Sequence, residues 1–142
     1  MDRLPITTAP LQAAGLPARL LQRNESPHPG PLVMYLHGGA FVARPPDDAT
    51  SPSVAQLLAA AGATVVALDY PLAPAHPFPE PLDAAYRALQ WLHDEQPALL
   101  GRLKPLLVAG EEAGGNLAAA LALMARDRGG PALAGQILLS PL

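Results

Sequence analysis

Four short, uninterrupted apolar runs constrain the fold more than any other feature of this 142-residue sequence. They lie at residues 32–36, 64–68, 106–109 and 136–139. Continuous runs of this length are typical of strands buried on both faces of a parallel sheet. Between them, apolar residues recur at helical spacing, which predicts helices at about 51–61, 82–95 and 116–128. The alternation predicts one α/β domain over residues 1–142, a three-layer α/β/α sandwich with a mostly parallel sheet.

The remaining local signals complete this prediction. Residues 3–8 and 17–23 are predicted as two strands joined by a hairpin-like connection that includes Pro10 and residues 13–15. Ser51 or Ser53 is the predicted N-cap of the first helix, and Gly62 ends that helix. Residues 71–81 contain five prolines, so they can form neither a helix interior nor a central strand.

Composition excludes several classes of protein. Half of the residues are hydrophobic and only 15% are charged, which excludes an extended disordered chain. The net charge of −3 and the lack of a basic run argue against a nucleic-acid partner or an anionic membrane. No apolar segment approaches a membrane span of ~18 residues, and the N-terminus lacks a signal-peptide pattern, so a cytoplasmic protein is expected. The sequence has no cysteine and no metal-binding histidine pattern, so neither a metal nor a cofactor is expected.

Two glycine-rich segments follow predicted strands, at the end of a parallel sheet where ligands bind. The first is His37-Gly38-Gly39-Ala40-Phe41. The second runs from Gly110 to Asn116 and has the form Gly-x-x-x-Gly between a buried strand and an Ala-rich helix. This is the layout of a nucleophile elbow, in which small residues flank a side chain on a sharp strand-to-helix turn.

Three blocks of the chain resemble the hormone-sensitive-lipase-like branch of the α/β-hydrolase esterases. Residues 37–41 are similar to the family's His-Gly-Gly-Gly oxyanion motif, and residues 69–79 to its Asp-Tyr-Arg-Leu-Ala-Pro-Glu-His-Pro-Phe-Pro segment. Residues 110–118 are similar to its Gly-Asp-Ser-Ala-Gly-Gly-Asn-Leu-Ala elbow. The order and spacing of the blocks agree from about residue 3 to residue 142, which predicts the N-terminal part of an α/β-hydrolase fold.

The resemblance implies a role for each matching position. The backbone N–H groups of Gly39, Ala40 and Ala113 would form the oxyanion hole, which stabilises the negative oxygen of a tetrahedral intermediate. Ala40 replaces a glycine, so its N–H is correctly placed only if the backbone there does not need a positive φ. The remaining motif positions are expected to be structural; they are His37, Gly38, Gly110, Gly114 and Gly115.

The chain also departs from the family pattern. Glu112 stands where the family has its nucleophilic serine, and a carboxylate cannot replace a hydroxyl that a histidine activates. The family's catalytic acid and histidine come after the fourth of these strands, and no position of this sequence matches them. The family's helical cap before the first strand has no match either. Hydrolysis by a catalytic triad is therefore not expected of this chain alone.

Each candidate side chain also has a structural interpretation. Glu112 could be a carboxylate nucleophile or recognise a ligand or partner, or Glu111 and Glu112 could be first-turn acids that the helix N-terminus stabilises. His76 is interpreted as structural, by analogy with His37. His28 and His93 are predicted to be solvated, and Ser140 lacks the flanking glycines of an elbow.

Three hypotheses about function follow. The leading one is an esterase-like pseudoenzyme that binds a small ester or acyl ligand or serves as an interaction subunit. The second is half of a split carboxylesterase, to which a partner chain supplies the acid and the histidine. The third is a hydrolase that uses the carboxylate of Glu112 with a histidine reached across an interface. The apolar edge strand at 136–139 leaves three outcomes open, which are pairing with a copy of the chain, pairing with a second polypeptide that supplies the missing strands, or a marginally stable remnant. A homodimer is the expected outcome, because exposed edges template pairing.

Overall fold

The fold is described for residues 5–25, 27–45 and 52–142 of a computed structural model, in which strands and helices alternate after an initial hairpin. The strands are β1 (Ile6–Ala13), β2 (Leu16–Arg23), β3 (Leu32–Leu36), β4 (Thr64–Leu68), β5 (Leu106–Glu111) and β6 (Gly135–Leu139). The helices are α1 (Val54–Ala60), α2 (Glu80–Leu100) and α3 (Ala113–Asp127).

All six strands belong to one sheet in the order β1-β2-β4-β3-β5-β6. Strands β4, β3, β5 and β6 are parallel, whereas β2 pairs with both β1 and β4 in antiparallel fashion. The four apolar runs are these parallel strands, and every residue of β3 and β4 is buried. The predicted mostly parallel sheet is therefore confirmed.

Helices cover both faces of the sheet. Ala55 and Ala59 of α1 pack with Val33 and Val65 on one face. On the other face, α2 and α3 bury residues such as Leu89 and Leu121 against the strands. The successive side chains of a strand point to opposite faces, so each buried strand contributes to both cores. This gives the expected α/β/α sandwich.

The initial hairpin is tighter than predicted. Strands β1 and β2 pair along eight residues each, and a turn at Ala14 and Gly15 joins them, so the longer connection including Pro10 is wrong. Pro10 lies inside β1, which is an edge strand, and proline is tolerated there because one side of the strand needs no donor. Residues 3 and 4 of the predicted first strand lie outside the described residues.

Helix α2 is longer than the predicted 82–95. It begins at Glu80, since Pro81 occupies the first turn, where a missing N–H is not needed for helical hydrogen bonds. It continues past Glu95 through Pro97 and ends at Leu100, and its C-cap is Gly101, which has a left-handed φ of 76°. A proline inside a helix usually ends or kinks it, but here the helix continues to Leu100.

The other boundaries shift by a few residues. Ser53 is the N-cap of α1 and forms a capping box with Gln56, while Ser51 lies outside the described residues. Strand β5 continues to Glu111 and α3 begins at Ala113, three residues before the predicted start at Asn116. The difference arises because Gly114 and Gly115, which predict a turn, lie in the first turn of α3.

In the described ranges, no helix is both long enough and apolar enough to cross a membrane.

Candidate active site at the carboxyl edge of the sheet

The centre of the site is a sharp turn between β5 and α3. Glu112 links them at φ 52° and ψ −117°, a left-handed conformation that is strained for a residue with a side chain. Helix α3 lies so close to β3 that a Cβ on Gly114 would be 1.9 Å from the carbonyl oxygen of Leu36. A Cβ on Gly110 would likewise be 2.1 Å from the carbonyl oxygen of Gly114. The two glycines are therefore required for the strand-to-helix turn predicted from the sequence.

A second loop, which follows β3, faces this turn. Gly39 has a φ of 132°, and a Cβ there would be 2.1 Å from the carbonyl oxygen of Ala43. Ala40 and Phe41 also have positive φ values, of 53° and 67°. The sequence-based condition that position 40 avoid positive φ is thus not met. The N–H of Ala40 points at the elbow all the same.

The backbone N–H groups expected to form an oxyanion hole converge on the side chain of Glu112. Its Oε1 accepts hydrogen bonds from Ala40 at 2.6 Å, Ala113 at 3.3 Å and Gly39 at 3.4 Å. The three backbone N–H groups named from the sequence therefore point at one place, and a carboxylate oxygen of the chain itself lies there.

These contacts hold Glu112 in its charged form. The N–H of Ala40 makes the largest contribution to lowering the pKa of the Glu112 carboxyl, and the N–H groups of Gly39 and Ala113 lower it further. Desolvation acts in the opposite direction but is outweighed. Hydrogen bonds to the ionised form always favour that form. Glu112 is therefore a carboxylate at neutral pH.

The interpretation of the two acids as first-turn residues that the helix N-terminus stabilises is wrong for Glu111, and for Glu112 it is wrong in position only. Glu112 is the N-cap of α3, whose first turn contains no acid, and its side chain accepts the N–H of Ala113. Glu111 is the last residue of β5, and its carboxylate accepts a hydrogen bond from the hydroxyl of Tyr35. Burial and this carboxylate raise the pKa of the Tyr35 hydroxyl. The two acids thus have different partners.

His37 contacts the neighbouring backbone, as the resemblance implies. Its Nδ1 lies 2.6 Å from the carbonyl oxygen of Gly38, and its ring stacks on Tyr70 at a centroid distance of 4.4 Å. The Tyr70 hydroxyl donates to the carbonyl oxygen of His37 at 2.7 Å, and burial raises its pKa to about 12. Burial also lowers the pKa of His37, so the ring is neutral at neutral pH. Its Nε2 is buried without a hydrogen-bond partner among the described residues.

The side chains of the other candidate residues form no hydrogen bond with Glu112 among the described residues, although His76 lines a cavity together with Asn116 and Leu117. His76 pairs with Glu80 at 2.8 Å, and the exposed His93 pairs with Asp94 at 3.2 Å. The prediction of a solvated His28 is wrong, because this residue is partly buried and its Nδ1 has no partner among the described residues. Ser140 is exposed just after β6 and makes no side-chain hydrogen bond within the described part of the chain.

Two cavities adjoin the elbow. The apolar cavity has a volume of about 390 Å³; Phe41, Ala73, Phe78, Leu82, Leu117 and Ala120 form most of its wall. Asn116 also lines it, and the backbone N–H of this residue donates to the carbonyl oxygen of Glu112. A polar cavity of about 330 Å³ contains both Glu111 and Glu112 in its lining. Glu112 thus lines the polar cavity, and Asn116 and Leu117 of the following helix line the apolar one.

Residues 139–142 form hydrogen bonds with the elbow. The N–H of Glu112 donates to the carbonyl oxygen of Leu139 at 3.0 Å, and the N–H of Leu142 donates to the carbonyl oxygen of Glu112 at 3.1 Å. Nδ2 of Asn116 donates to the carbonyl oxygen of Leu142 at 2.9 Å. Segment 139–142 therefore fixes the backbone of Glu112 on both sides.

Sequence reasoning found the elbow and its three donors but missed the tyrosines. Tyr35 lies two residues before the His37 motif, and Tyr70 follows the next strand, so a common edge could be inferred for both. The sequence contained one indication that the Glu112 side chain contacts these donors. A glutamate has one more methylene than an aspartate and can fold back over its own turn.

The fold, the elbow and the occupied donor set define a protein of the α/β-hydrolase class. A family model for the alpha/beta hydrolase fold matches residues 33–142, so the chain belongs to this family.

Curated relatives place it in the carboxylesterase and lipase lineage. It is 43% identical over 112 residues to Carboxylesterase NlhH of Mycobacterium tuberculosis, which covers 78% of this chain and 34% of that protein. It is 34% identical over 110 residues to Hormone-sensitive lipase of Bos taurus, which covers 77% of this chain and 14% of the lipase. The chain thus spans about a third of the length of the first of these relatives and less of the second.

Solved structures agree with this assignment. The chain superimposes on Bacterial Heroin Esterase with a TM-score of 0.85 and 30% identity, covering 97% of this chain and 45% of that one. It superimposes on the HSL-homolog EstE7 from a metagenome library with a TM-score of 0.76 and 28% identity, covering 99% of this chain and 46% of that one. The predicted family is confirmed.

Proposed function

We propose that this chain is a ligand-binding member of the carboxylesterase lineage that does not hydrolyse esters by serine chemistry. The observation that carries the proposal is the position of the Glu112 carboxylate, whose Oε1 accepts the N–H groups of Gly39, Ala40 and Ala113. The same residue stands where the resemblance puts the nucleophile. One substitution therefore removes the attacking hydroxyl and fills the site that would stabilise the reaction's negative charge.

An ester carbonyl would have to displace Glu112 before it could use these donors. The displaced carboxylate would lose its hydrogen bonds and then repel the developing oxyanion, because two negative charges cannot share one set of donors. A covalent intermediate on Glu112 would also need a base to activate the water that hydrolyses it, and no histidine ring hydrogen-bonds to Glu112 among the described residues. This argues against the hypothesis of a Glu112-based hydrolase.

The charge of the elbow also bears on the ligand. The Oε2 of Glu112 makes no hydrogen bond with the described residues. The other charged groups in the lining of the same polar cavity are Glu111 and Arg44, and Arg44 lies 3.7 Å from the carboxylate of Asp69. A ligand with a cationic or hydrogen-bond-donating head near Glu112 and an apolar body in the 390 Å³ cavity is complementary to this arrangement. A carboxylate head would be repelled. An ester or acyl carbonyl, which the sequence suggested, can only accept hydrogen bonds and fits less well, because Glu112 already accepts from the three donors.

Turnover of p-nitrophenyl butyrate tests the catalytic half of the proposal. We expect no release of nitrophenol above the buffer rate from the wild-type chain. We also expect none from Glu112→Ser, because a serine without a histidine is a weak nucleophile. Glu95→Ser, an exposed change on α2, is the matched control. Wild-type turnover that Glu112→Gln abolishes would support the carboxylate hydrolase, and turnover by Glu112→Ser would show that a partner supplies a histidine.

Calorimetric titration with hexylamine, hexanol and hexanoate tests the ligand half, since these probes share one apolar body. We expect affinity to fall in that order, and we expect Glu112→Gln to reduce the difference between hexylamine and hexanoate, since Glu111 remains in the lining of the polar cavity. Ala120→Trp, which fills the apolar cavity, should weaken all three probes, whereas Ala98→Trp on the exposed side of α2 should not. Tightest binding by hexanoate would contradict the charge argument and favour an acyl ligand.

We also propose that the outer edge of β6 pairs with β6 of a second copy of the chain. This strand ends the sheet on one side, and Leu139 and Leu142 beside it are 40% and 64% exposed. An apolar strand edge without charges is a template for pairing. Light scattering after size exclusion should give the mass of a dimer. Leu139→Lys should shift the chain toward monomer, whereas Leu57→Lys, at a similarly exposed leucine, should not.

A further inference from the structure

A second polar cavity lies at the amino ends of the parallel strands, at the opposite edge of the sheet from the elbow. It has a volume of about 300 Å³ and lies beside the C-terminal end of α2. Its polar wall consists of Gln22, His28, Arg102 and Lys104, and Leu99 and Leu100 supply apolar wall. No acidic side chain lines this cavity within the described residues. Its charged groups are therefore all of one sign.

Arg102 and Lys104 converge on a single acceptor. The carbonyl oxygen of His28 accepts from Nζ of Lys104 at 2.6 Å and from an Nη of Arg102 at 3.2 Å. Lys104 donates a second bond to the hydroxyl of Thr64 at 3.2 Å. The acceptors are neutral, so the hydrogen bonds hold the two cations together without neutralising them. Like charges in this arrangement repel, and an anion between them would relieve the repulsion.

Other groups at this edge are also incompletely satisfied. Nδ1 of His28 and Nε of Arg23 are buried without a partner among the described residues. Burial lowers the pKa of the Lys104 ammonium, and the charge of Arg102 lowers it further. Polar atoms in folded proteins are normally paired when buried, and exceptions indicate an unfilled site or a bound solvent molecule.

Stabilisation of the end of α2 explains only part of this arrangement. Cations near the C-terminus of a helix interact favourably with its carbonyl groups. In the described residues, however, the side chains of Arg102 and Lys104 donate to His28 and Thr64, not to the last carbonyl oxygens of α2. The link to α2 is the backbone N–H of Lys104, which donates to the buried side chain of Gln96 at 2.8 Å. The hydrogen bonds to His28 and Thr64 thus hold the charged groups of Arg102 and Lys104 in the wall of the cavity.

We propose that this cavity binds a small tetrahedral oxyanion, either inorganic phosphate or the phosphate group of a monoester. The guanidinium of Arg102 would supply a planar pair of donors and Lys104 a point charge, which is the usual division of roles at a phosphate. Leu99 and Leu100 would contact the organic part of a monoester. The site is separate from Glu112 and stands or falls independently of the function proposed above.

Phosphate titration of the wild-type chain, followed by amide NMR shifts at constant ionic strength, tests this proposal. Saturable shifts should cluster around residues 22, 28 and 99–104. Arg102→Gln should weaken phosphate binding by about tenfold, since it removes one charge-assisted contact at an exposed residue. Arg126→Gln, which removes the same charge from an exposed position on α3, is the matched control and should leave the affinity unchanged.

Phenyl phosphate is the second probe, and it distinguishes the two sources of the anion. Tighter binding of phenyl phosphate than of phosphate, with added shifts at Leu99 and Leu100, would indicate a monoester, whereas equal binding would indicate the free ion. The proposal is overturned if phosphate shifts do not saturate, if they are dispersed over the surface, or if Arg102→Gln and Arg126→Gln weaken them equally. Because Arg102 is exposed, the test does not depend on a variant that unfolds.

Discussion

The two edges of the parallel sheet differ in how well hydrogen bonds satisfy their charged side chains. At the carboxyl edge, one carboxylate oxygen of Glu112 accepts from the backbone N–H groups of three residues. At the amino edge, two cations share one carbonyl oxygen, that of His28. The anion has several donors for one charge, whereas the cations have one main acceptor for two charges. The pKa shifts of Glu112 and Lys104 accordingly favour the charged form at the first edge and oppose it at the second.

This difference bears on which edge needs a ligand. The donors of the carboxyl edge already have an anion, and it is part of the chain, so an incoming anion gains nothing there. The cations of the amino edge have no anion among the described residues that line their cavity. In this chain, whose relatives carry esterase names, three backbone donors thus bind the chain's own carboxylate at one edge of the sheet, while the two cations lie at the opposite edge.

The largest expected effect comes from an added methyl group at each edge. Gly114→Ala would put a Cβ 1.9 Å from the carbonyl oxygen of Leu36, so the close approach of α3 to β3 would be lost. We expect a loss of about 3 kcal/mol in the free energy of unfolding, or failure to fold. Gly101→Ala at the other edge meets no atom within 4 Å and has only its φ of 76° to strain it. Its cost should be about 1 kcal/mol.

Urea denaturation of both glycine variants measures this difference. Equal losses would mean that the carboxyl edge can relax, and the tight geometry of the elbow would then not be a constraint.

The next effect concerns the polar link at the amino edge. Gln96 is 2% exposed, and its Oε1 accepts the backbone N–H of Lys104. Gln96→Ala should lower the free energy of unfolding by about 2 kcal/mol, since it leaves a buried donor unpaired. Gln90→Ala, at an exposed position of the same helix, is the control and should be nearly neutral. A neutral Gln96→Ala in denaturant titration would mean that solvent reaches the N–H of Lys104.

The pH dependence of stability distinguishes the two edges, because Glu112 and Lys104 affect stability in different pH ranges. The pKa of Glu112 is lowered from 4.5, so its contribution is complete above that value and is lost as the pH falls through the folded-state pKa. The pKa of Lys104 is lowered from 10.5, so the cost of keeping it charged is present at low pH and is relieved as the pH rises toward 10.5. Stability therefore rises with pH in both windows, but for opposite reasons.

Melting temperatures at a series of pH values, for wild type, Glu112→Gln and Lys104→Met, measure these slopes. The acid slope should be absent from Glu112→Gln, and the alkaline slope from Lys104→Met. An unchanged acid slope in Glu112→Gln would show that other carboxyl groups cause it.

The smallest expected effect comes from the contact between α3 and segment 139–142. Asn116→Ala removes the hydrogen bond to the carbonyl oxygen of Leu142 and should cost about 0.5 kcal/mol, because the bond is exposed and alanine favours the helix. Exchange of the Glu112 amide hydrogen should become faster, since this amide bonds to Leu139 at the start of the segment. Gln136→Ala on the exposed face of β6 is the control. Unchanged exchange in Asn116→Ala would mean that the segment is held without Asn116.

The sequence predicted the parallel strands well because each is a continuous apolar run with glycine or proline nearby. It predicted helix ends less well, since Pro81 and Pro97 lie inside α2 and Gly114 and Gly115 inside α3, where their usual meaning as breakers does not hold. Tertiary contacts decide these cases: the two glycines are inside the helix because only they allow its approach to β3 and Pro141.

The backbone donors of the site could be predicted from the sequence, whereas the directions of its side chains could not. Gly39, Ala40 and Ala113 could be named from the motif, and their N–H groups do converge on one oxygen. Where the side chain of Glu112 points depends on its φ of 52° and on the loop across from it. The amino-edge cluster had no motif at all, because His28, Thr64 and Lys104 are far apart in the chain and meet only through the sheet.

The stack of His37 on Tyr70 gives the carboxyl edge a distinctive NMR signal. Two aromatic rings whose centroids are 4.4 Å apart, with an angle of 13° between their planes, shield each other's protons through their ring currents. The carbon-bound protons of the His37 ring should therefore resonate well upfield of those of the exposed His93. Because His37 leads directly into the loop that binds Glu112, any event that moves this loop should change that chemical shift. The ring protons of His37 can therefore report on the elbow without an added label.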